Sequence, residues 1–281
     1  MSNTIPAMKP RNGLTLPQLG LGTWRMGESH AARANEVRVL RHAIERGVTL
    51  IDTAEMYGEG GAEEVVGEAI RGQRDGITVV SKVYPWNASR RGTLAACEAS
   101  LKRLGIDVLD LYLLHWRGDH PLADTVAAFE QLRQDGKIRS WGVSNFDTAD
   151  MKELAATAGG EHCVVDQVYY NLAMRWPEAT LLPLQRALGI ATMAYSPLDQ
   201  GRLLKHAALK YIGNKHAATA AQVALAWLLS FDDVCVIPKS ARIEGVDEIL
   251  GAVQVRFDDE DRAALQQAFP PPRANARMQT T

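Results

Sequence analysis

Four titratable residues of different types are placed where they could move a proton together: Asp52, Tyr57, Lys82 and His115. A free phenol titrates near pH 10, so it exchanges a proton poorly at neutrality unless an adjacent cation stabilises the phenolate. Lys82 could be that cation, and Asp52 could keep the lysine charged against burial. His115 could then hydrogen-bond a substrate oxygen and orient it.

The elements that must position these residues are short apolar runs. Asp52, Lys82 and His115 each end such a run, and Tyr57 follows Asp52 by five residues. Each residue taken singly also has a structural explanation: Asp52 could cap a helix and Lys82 could lie at the surface. His115 could be a core histidine and Tyr57 a loop aromatic. Neighbouring strands lie about 4.8 Å apart, so the ends of three consecutive strands can bring all four together. Their joint placement favours a site.

Short β-rich runs alternate with longer amphipathic segments along most of the chain, which is typical of repeated βα units on a parallel sheet. The predicted strands are Leu19–Thr23, Thr49–Thr53, Thr78–Val83, Leu109–His115, Ile138–Val143, Val164–Val168, Ile190–Tyr195 and Val234–Ile237. The predicted helices are Glu36–Arg46, Ala62–Arg71, Leu94–Leu104, Thr125–Gln134, Met151–Ala158, Thr180–Ala187, Ala220–Leu229 and Val246–Leu250. Five of these helices end at a glycine suited to a left-handed cap: Gly47, Gly72, Gly105, Gly136 and Gly189.

Eight such pairs predict an α/β fold of the (β/α)8 TIM barrel type, with an N-terminal β-hairpin around Gly13 and an extra C-terminal helix near Asp258–Phe269. A doubly wound sheet is the competitor, but no dinucleotide fingerprint with three correctly spaced glycines occurs. No linker composition interrupts the barrel. We therefore expect one domain over residues 1–281, with its core at about 12–269 and a flexible tail, Pro270–Thr281.

Composition excludes several classes of function. The 31 Lys and Arg residues against 33 Asp and Glu give a net charge of −2, without a basic run that would bind nucleic acid. The apolar stretches are too short to span a bilayer, and no secretory signal is visible. Three widely spaced cysteines predict neither a disulfide framework nor a zinc site. These features indicate a cytoplasmic protein without nucleic-acid or membrane partners, and we expect a monomer.

Two hydrolase chemistries are weaker alternatives. A metal centre could use Asp52, Glu55, His115 and His120, but the two histidines lack the spacing of a metal-binding helix or strand. We therefore expect no metal. A serine hydrolase needs a Gly-x-Ser-x-Gly elbow, which the sequence does not contain.

The motifs around these residues resemble those of the aldo-keto reductase family over about residues 12–269. The segment GVTLIDTAEMYG (47–58), followed by EVVG (64–67), is similar to the family signature around its catalytic aspartate and tyrosine. SKV (81–83) resembles its lysine motif and LLHW (113–116) its histidine motif. GVSNF, QVYYNL, YSPL and IPKS follow in family order, starting at 142, 167, 195 and 237. The segments EMYGE (55–59) and SKVYPWN (81–87) most resemble a bacterial methylglyoxal reductase branch.

This resemblance implies hydride transfer from NADPH to a carbonyl carbon, with Asp52, Tyr57, Lys82 and His115 as the catalytic residues. Tyr57 would be the general acid, and Lys82 would lower its pKa. The positions that match the cofactor site are Gly22, Thr23, Trp24, Asp52, Ser144, Asn145, Gln167, Tyr195, Ser196, Leu198, Lys239, Ser240, Arg242 and Glu248. Among them, Ser144, Asn145 and Gln167 would bind the carboxamide, Tyr195 would stack on the nicotinamide, and Lys239 and Ser240 would hold the 2′-phosphate.

The sequence departs from the family at the phosphate end. Many members place an arginine five residues after the serine, where this chain has Gly245, so Arg242 is the nearest substitute. Ile249 replaces an asparagine that commonly follows the adenine contact at Glu248. NADP preference is the expectation from this pattern.

The expected substrate wall consists of Trp24, Met56, Trp86 and Trp116, beside His115. An apolar wall and a short segment after Phe269 favour small aldehydes and 2-oxoaldehydes. Some relatives serve as cofactor-binding accessory subunits, so an NADPH-binding module with little turnover is the alternative function.

Overall fold

The computed structural model describes residues 4–280, without the side chain of Asn12. An antiparallel hairpin of β1 (Ala7–Met8) and β2 (Leu16–Pro17) precedes the main sheet. Its connection contains Gly13 at φ +75°, a left-handed conformation that glycine adopts without strain. The hairpin predicted around Gly13 is confirmed.

The main sheet contains eight parallel strands in sequential order, each paired with the next. They are β3 (Leu21–Gly22), β4 (Leu50–Asp52), β5 (Thr78–Val83), β6 (Leu109–Leu114), β7 (Ile138–Ser144), β8 (Val165–Tyr169), β9 (Ala191–Tyr195) and β10 (Val234–Val236). A parallel bridge between Leu19 and Val236 joins the two ends of the sheet. The predicted barrel is therefore confirmed, with all eight strands at their predicted places.

Ten α-helices lie around or beside the barrel in the described part of the chain. They are α1 (His30–Glu45), α2 (Gly61–Ile70), α3 (Arg90–Leu104), α4 (Leu122–Gln134), α5 (Thr148–Ala156), α6 (Pro177–Leu188), α7 (Ala207–Lys215), α8 (Ala220–Leu229), α9 (Ile243–Gly251) and α10 (Asp259–Ala268). The five glycines predicted to end helices have φ values between 64° and 93°, as a left-handed cap requires.

Several predicted boundaries differ from the structure. Helix α1 begins at His30 rather than Glu36, because its first turn lacks the apolar spacing that identified the rest. Helix α7 was not predicted; it is short, and it buries only Leu209, Ile212 and Gly213. His115 follows β6 instead of ending it, and Lys82 is the penultimate residue of β5.

Alternation along the strands places the polar site inside the barrel. Inward positions at the lower level carry apolar side chains, including Leu50, Val80 and Val165. Because side chains alternate between the two faces of a strand, the residue two positions further on also points inward. These residues are Asp52, Lys82 and Gln167, and all three are buried. Asp52 and Lys82 lie at the C-terminal ends of their strands, and Gln167 lies in the middle of β8.

The last twelve residues contain no helix or strand within their described part, 270–280. Ala276 and Met278 nevertheless pack against the core. The flexibility of this tail stays a prediction. Within residues 4–280, no helix has the length and apolar character needed to cross a bilayer.

Candidate active site

The ammonium group of Lys82 lies at the centre of the site and donates to three hydrogen-bond acceptors. Its Nζ atom donates to Asp52 Oδ2 at 2.8 Å, to the Thr53 carbonyl at 2.8 Å and to the Tyr57 hydroxyl at 3.3 Å. An ammonium group has three N–H donors, so this set of partners matches the charged lysine. Lys82 and Asp52 are both buried, which makes the ion pair dependent on these hydrogen bonds.

The pKa values of Lys82 and Tyr57 are both governed by burial. Burial lowers the pKa of Lys82, and the negative charges of Asp52 and Glu63 oppose that shift. Burial, followed by the charge of Asp52, raises the pKa of Tyr57 well above its usual value. Desolvation of the phenolate is thus the largest influence on the Tyr57 pKa in the chain without a ligand, and the lowering of this pKa by Lys82 stays a prediction. At neutral pH the phenol keeps its proton.

Asp52, Tyr57, Lys82 and His115 are together called the tetrad. Asp52 connects the tetrad to the middle of the barrel. Its Oδ1 atom accepts a hydrogen bond of 2.8 Å from Gln167 Nε2, and its Oδ2 atom binds Lys82. Burial raises the pKa of the Asp52 carboxyl, while Lys82 and Gln167 oppose the rise. Thr23 binds the backbone oxygen of Asp52 through both its amide and its hydroxyl, each at 3.0 Å. The end of β4 is thus fixed on two sides.

His115 lies beside Tyr57, with the ring centroids 5.7 Å apart in an edge-on arrangement. Its Nδ1 atom is buried and has no hydrogen-bond partner within residues 4–280. Burial, and then the charge of Lys82, lowers the pKa of the imidazole well below its usual value. His115 is therefore neutral at physiological pH and retains one N–H that can donate to a ligand.

Aromatic rings follow β5 and β6 and form a wall beside His115. Tyr84 and Trp86 stack with centroids 4.5 Å apart, and Trp116 meets Trp86 edge-on at 5.7 Å. Trp116 also lies 4.8 Å from His115. The predicted wall residues Trp86 and Trp116 are thus brought together, and Trp86 is 64% exposed at its rim. Sequence reasoning missed Tyr84, although it lies in the SKVYPWN segment.

A carboxylate holds this wall to the Tyr57 loop. Glu55 Oε1 accepts hydrogen bonds from the Tyr84 amide at 2.7 Å and from Asn87 Nδ2 at 3.1 Å. Glu55 was considered only as a metal ligand, and its role in the loop was missed. Trp24 does not join the wall by a ring contact; its ring faces the Arg25 guanidinium at 4.5 Å. Met56 is half-buried next to Tyr57.

Polar side chains in β8 and at the ends of β7 and β9 form a connected network. Ser144 Oγ donates to the Gln167 carbonyl at 2.8 Å, and Asn145 Nδ2 donates to Ser144 Oγ and to the His115 carbonyl, both at 3.1 Å. Tyr195 donates through its hydroxyl to Asn145 Oδ1 at 2.9 Å. The four predicted residues Ser144, Asn145, Gln167 and Tyr195 therefore lie together beside His115.

Tyr195 presents a half-buried ring at the mouth of the barrel. One neighbour is Tyr169, whose ring stacks on it at 5.6 Å with an interplanar angle of 13°. The following loop contains Ser196 at φ 47° and Leu198, which packs on the core. Asn171 Nδ2 donates to the Ser196 carbonyl at 3.0 Å and holds this loop against the end of β8.

The remaining predicted cofactor residues surround the N-terminus of α9. Lys239 and Arg242 are exposed, while Ser240 and Glu248 are half-buried. The Ser240 hydroxyl turns towards the helix, accepts from the Arg242 amide at 3.1 Å and donates to the Arg242 carbonyl at 2.9 Å. Where β3 and β10 meet and close the barrel, Gly22 donates through its amide to the Pro238 carbonyl at 2.9 Å. A Cβ at Gly22 would lie only 3.0 Å from the Ile237 oxygen, so glycine permits this close approach.

Three of the four residues considered for a metal centre have other hydrogen-bond partners. Asp52 binds Lys82 and Gln167, Glu55 binds the Tyr84 loop, and His120 Nε2 contacts the Trp86 carbonyl at 3.1 Å. No group of three or more His, Cys, Asp or Glu residues within 4–280 has an arrangement that could hold a metal ion.

Comparison with known proteins gives the same assignment along almost the whole chain. The Aldo/keto reductase family model matches residues 18–269. The chain is 49% identical to the methylglyoxal reductase YeaE of Escherichia coli (strain K12) over 270 residues, which are 94% of this chain and 95% of that protein. It is 37% identical to the glyoxal reductase of Bacillus subtilis (strain 168) over 257 residues, which are 90% of this chain and 89% of that protein.

A solved structure matches equally well. An aldo-keto reductase from Klebsiella pneumoniae in complex with NADPH has 48% sequence identity and a TM-score of 0.95, covering 99% of this chain and 100% of that chain. The barrel, the buried Asp52, Lys82 and His115 with the half-buried Tyr57 at its mouth, and these similarities lead to one conclusion. The chain belongs to the aldo/keto reductase family.

Proposed function

We propose that this protein reduces small aldehydes and 2-oxoaldehydes of the methylglyoxal type to alcohols, with NADPH as the reductant. The observation that carries the proposal is the pairing of a protonated Tyr57 hydroxyl with the Lys82 ammonium group at 3.3 Å, directly beside a neutral His115. Relatives with 49% and 37% identity are named methylglyoxal reductase and glyoxal reductase, which supports this substrate class.

The chemistry requires a hydride on the carbonyl carbon and a proton on the carbonyl oxygen. NADPH, when bound, supplies the hydride. His115 donates its N–H to the carbonyl oxygen and orients it, and Tyr57 delivers its proton to that oxygen as negative charge develops. Because Lys82 donates to the Tyr57 oxygen, it stabilises the phenolate that remains. Asp52 keeps Lys82 charged throughout.

Side chains between the barrel mouth and α9 offer groups that suit a nicotinamide dinucleotide. The half-buried Tyr195 ring offers a stacking surface, and Ser144, Asn145 and Gln167 offer hydroxyl and amide groups to a carboxamide. These groups bind one another here, so a ligand would exchange with those hydrogen bonds. Lys239, Arg242 and the N-terminus of α9 together present positive charge to a 2′-phosphate.

The wall of Tyr84, Trp86 and Trp116 explains a preference for small uncharged carbonyl compounds. It is apolar, it lies next to His115, and Trp86 leaves it open to solvent. We infer that a small 2-oxoaldehyde enters beside this exposed rim.

The direct test is NADPH oxidation with methylglyoxal, repeated with NADH, alongside a separate measurement of NADPH binding by fluorescence. We expect turnover with NADPH that exceeds turnover with NADH. NADPH binding without turnover of methylglyoxal or of an aromatic aldehyde would contradict the reductase proposal and favour the accessory binding module. If Lys82→Met is assayed in the same way, Lys102→Met, a change on the exposed side of α3, serves as its matched control.

A further inference from the structure

Glu63 is a fully buried acid outside the tetrad, on helix α2. Its Oε1 atom accepts a hydrogen bond of 2.5 Å from the hydroxyl of Ser81, and its Oε2 atom accepts one of 2.5 Å from Arg103 Nε. Ser81 precedes Lys82 in β5, so its side chain points outward to the helices when Lys82 points into the barrel. Glu63 therefore contacts the outer face of the strand that carries Lys82.

Arg103 extends the same contact to the loop that carries Tyr57. Its side chain crosses over Gly60, where a Cβ would lie 2.5 Å from the Arg103 Cδ atom. Gly60 has φ 92°, a conformation that glycine adopts readily, and it leads directly into α2. Ser100 Oγ accepts a further hydrogen bond from Arg103 Nη2 at 3.2 Å. The Tyr57 loop, α2, α3 and β5 thus meet at the ion pair between the buried Glu63 and the partly exposed Arg103.

We propose that Glu63 is a positioning residue for the reduction, which fixes the strand of Lys82 and the loop of Tyr57 relative to each other through Ser81 and Arg103. The proposal rests on the tetrad roles proposed above. The fully buried Glu63 carboxylate is expensive to desolvate, and such a charge contributes little net stability compared with apolar packing, so a role in geometry gives a reason for its presence.

Glu63 also acts on Lys82 through its charge. The titratable groups around Lys82 are Asp52 from β4, Tyr57 from the following loop and His115 after β6, inside the barrel, and Glu63 from α2, on the outer face of β5. Burial lowers the pKa of Lys82, and Asp52 and Glu63 are the two acids that oppose this. Removal of the Glu63 charge should therefore let Lys82 lose its proton at lower pH.

The test compares Glu63→Gln with Glu64→Gln, its neighbour on α2, whose carboxylate pairs with Arg33 at the surface. In Glu63→Gln we expect kcat to fall about tenfold and the KM for NADPH to stay within about twofold of wild type. In the plot of kcat against pH, we expect the decline at alkaline pH to begin at lower pH. Glu64→Gln should keep the wild-type profile. A side chain that only supports the fold would lower the yield of folded protein without moving this decline.

NMR titration of isotope-labelled lysine, assigned with Lys82→Met, gives a readout independent of turnover. A lower pKa of Lys82 in Glu63→Gln supports the proposal even if wild-type protein reduces no aldehyde. Failure of the proposed reductase function can therefore be distinguished from failure of the proposed role of Glu63. An unchanged Lys82 pKa together with an unchanged decline of kcat at alkaline pH in folded Glu63→Gln overturns the proposal.

Two further variants test the proposal in case Glu63→Gln does not fold. Glu63→Gln leaves Arg103 without its acid, so Glu63→Gln combined with Arg103→Gln removes both charges of the pair. Ser81→Ala removes only the hydroxyl contact, and we expect it to lower kcat by about threefold to tenfold, the worth of one hydrogen bond. Wild-type kcat in Ser81→Ala and a wild-type pH profile in the double variant would also overturn the proposal.

Discussion

The hydroxyl of Tyr195 donates a hydrogen bond of 2.9 Å to the side-chain oxygen of Asn145. Asn145 has φ 57°, and its Nδ2 atom donates to the His115 carbonyl at 3.1 Å. The ring expected to stack on the nicotinamide is therefore connected through one amide to the backbone of the residue expected to orient the substrate. This connection involves the hydroxyl of Tyr195, whereas stacking involves only its ring.

Tyr195→Phe should separate these two roles, because it keeps the ring and removes the hydroxyl. We expect the KM for methylglyoxal to rise about threefold to tenfold, consistent with one lost hydrogen bond, and NADPH affinity to change less. Steady-state kinetics and fluorescence titration measure the two effects. Tyr211→Phe, at a 60% exposed position of α7, is the control. Wild-type kinetics in Tyr195→Phe would show that the hydroxyl has no part in positioning His115.

The lowered pKa of His115 predicts a loss of stability in acid. The folded protein takes up the His115 proton less readily than the unfolded chain, so stability falls as pH decreases from the unfolded value of about 6.5 towards the folded value. Urea unfolding at about pH 7.5 and about pH 5.5 measures this loss. His115→Gln should lose less stability over the same interval than wild type. Equal losses would mean that His115 titrates normally in the folded state.

The three cysteines are predicted to be unreactive in the folded protein. Cys97, Cys163 and Cys235 are buried, and burial raises the pKa of Cys97 and of Cys163 to about 12. A thiol-specific reagent such as Ellman's reagent should therefore react slowly at neutral pH and label all three thiols only after unfolding. Rapid reaction of a thiol in the native protein would contradict this burial.

Cofactor preference should depend on Arg242, since position 245 offers no cation. A Cβ at Gly245 would lie 2.3 Å from the Ser240 hydroxyl, which occupies the space that a larger residue would use. We expect Arg242→Met to weaken NADPH binding about tenfold and to leave NADH binding within about twofold, as loss of a phosphate contact should. Arg262→Met, an exposed change on α10, is the control. Equal weakening for both cofactors would exclude a specific contact with the 2′-phosphate.

The sequence was sufficient for the barrel because its signals are local. Apolar runs marked the strands, glycines marked the helix ends, and the places of Asp52 and Lys82 at the ends of such runs put them at the barrel mouth. The four catalytic candidates were brought together as expected. Their spacing alone, without any family resemblance, was enough to propose that they meet.

Contacts between distant segments could not be predicted. Glu55 binds the Tyr84 loop and Glu63 binds Ser81 and Arg103, and no periodicity in the sequence distinguishes these acids from the exposed Glu64 beside them. The raised pKa of Tyr57 was also missed, because it depends on how deeply the hydroxyl is desolvated. The cytoplasmic location and the monomeric state stay predictions.

The central claim is that Tyr57 gives its proton to the carbonyl oxygen while Lys82 stabilises the phenolate. Stopped-flow measurement of NADPH oxidation in a single turnover with methylglyoxal, in wild type and Tyr57→Phe, tests it most directly. The account predicts a fall of about 100-fold or more in the rate of hydride transfer, within the usual contribution of a general acid, with NADPH affinity within about threefold of wild type. A rate in Tyr57→Phe within about tenfold of wild type, at unchanged NADPH affinity, would contradict it.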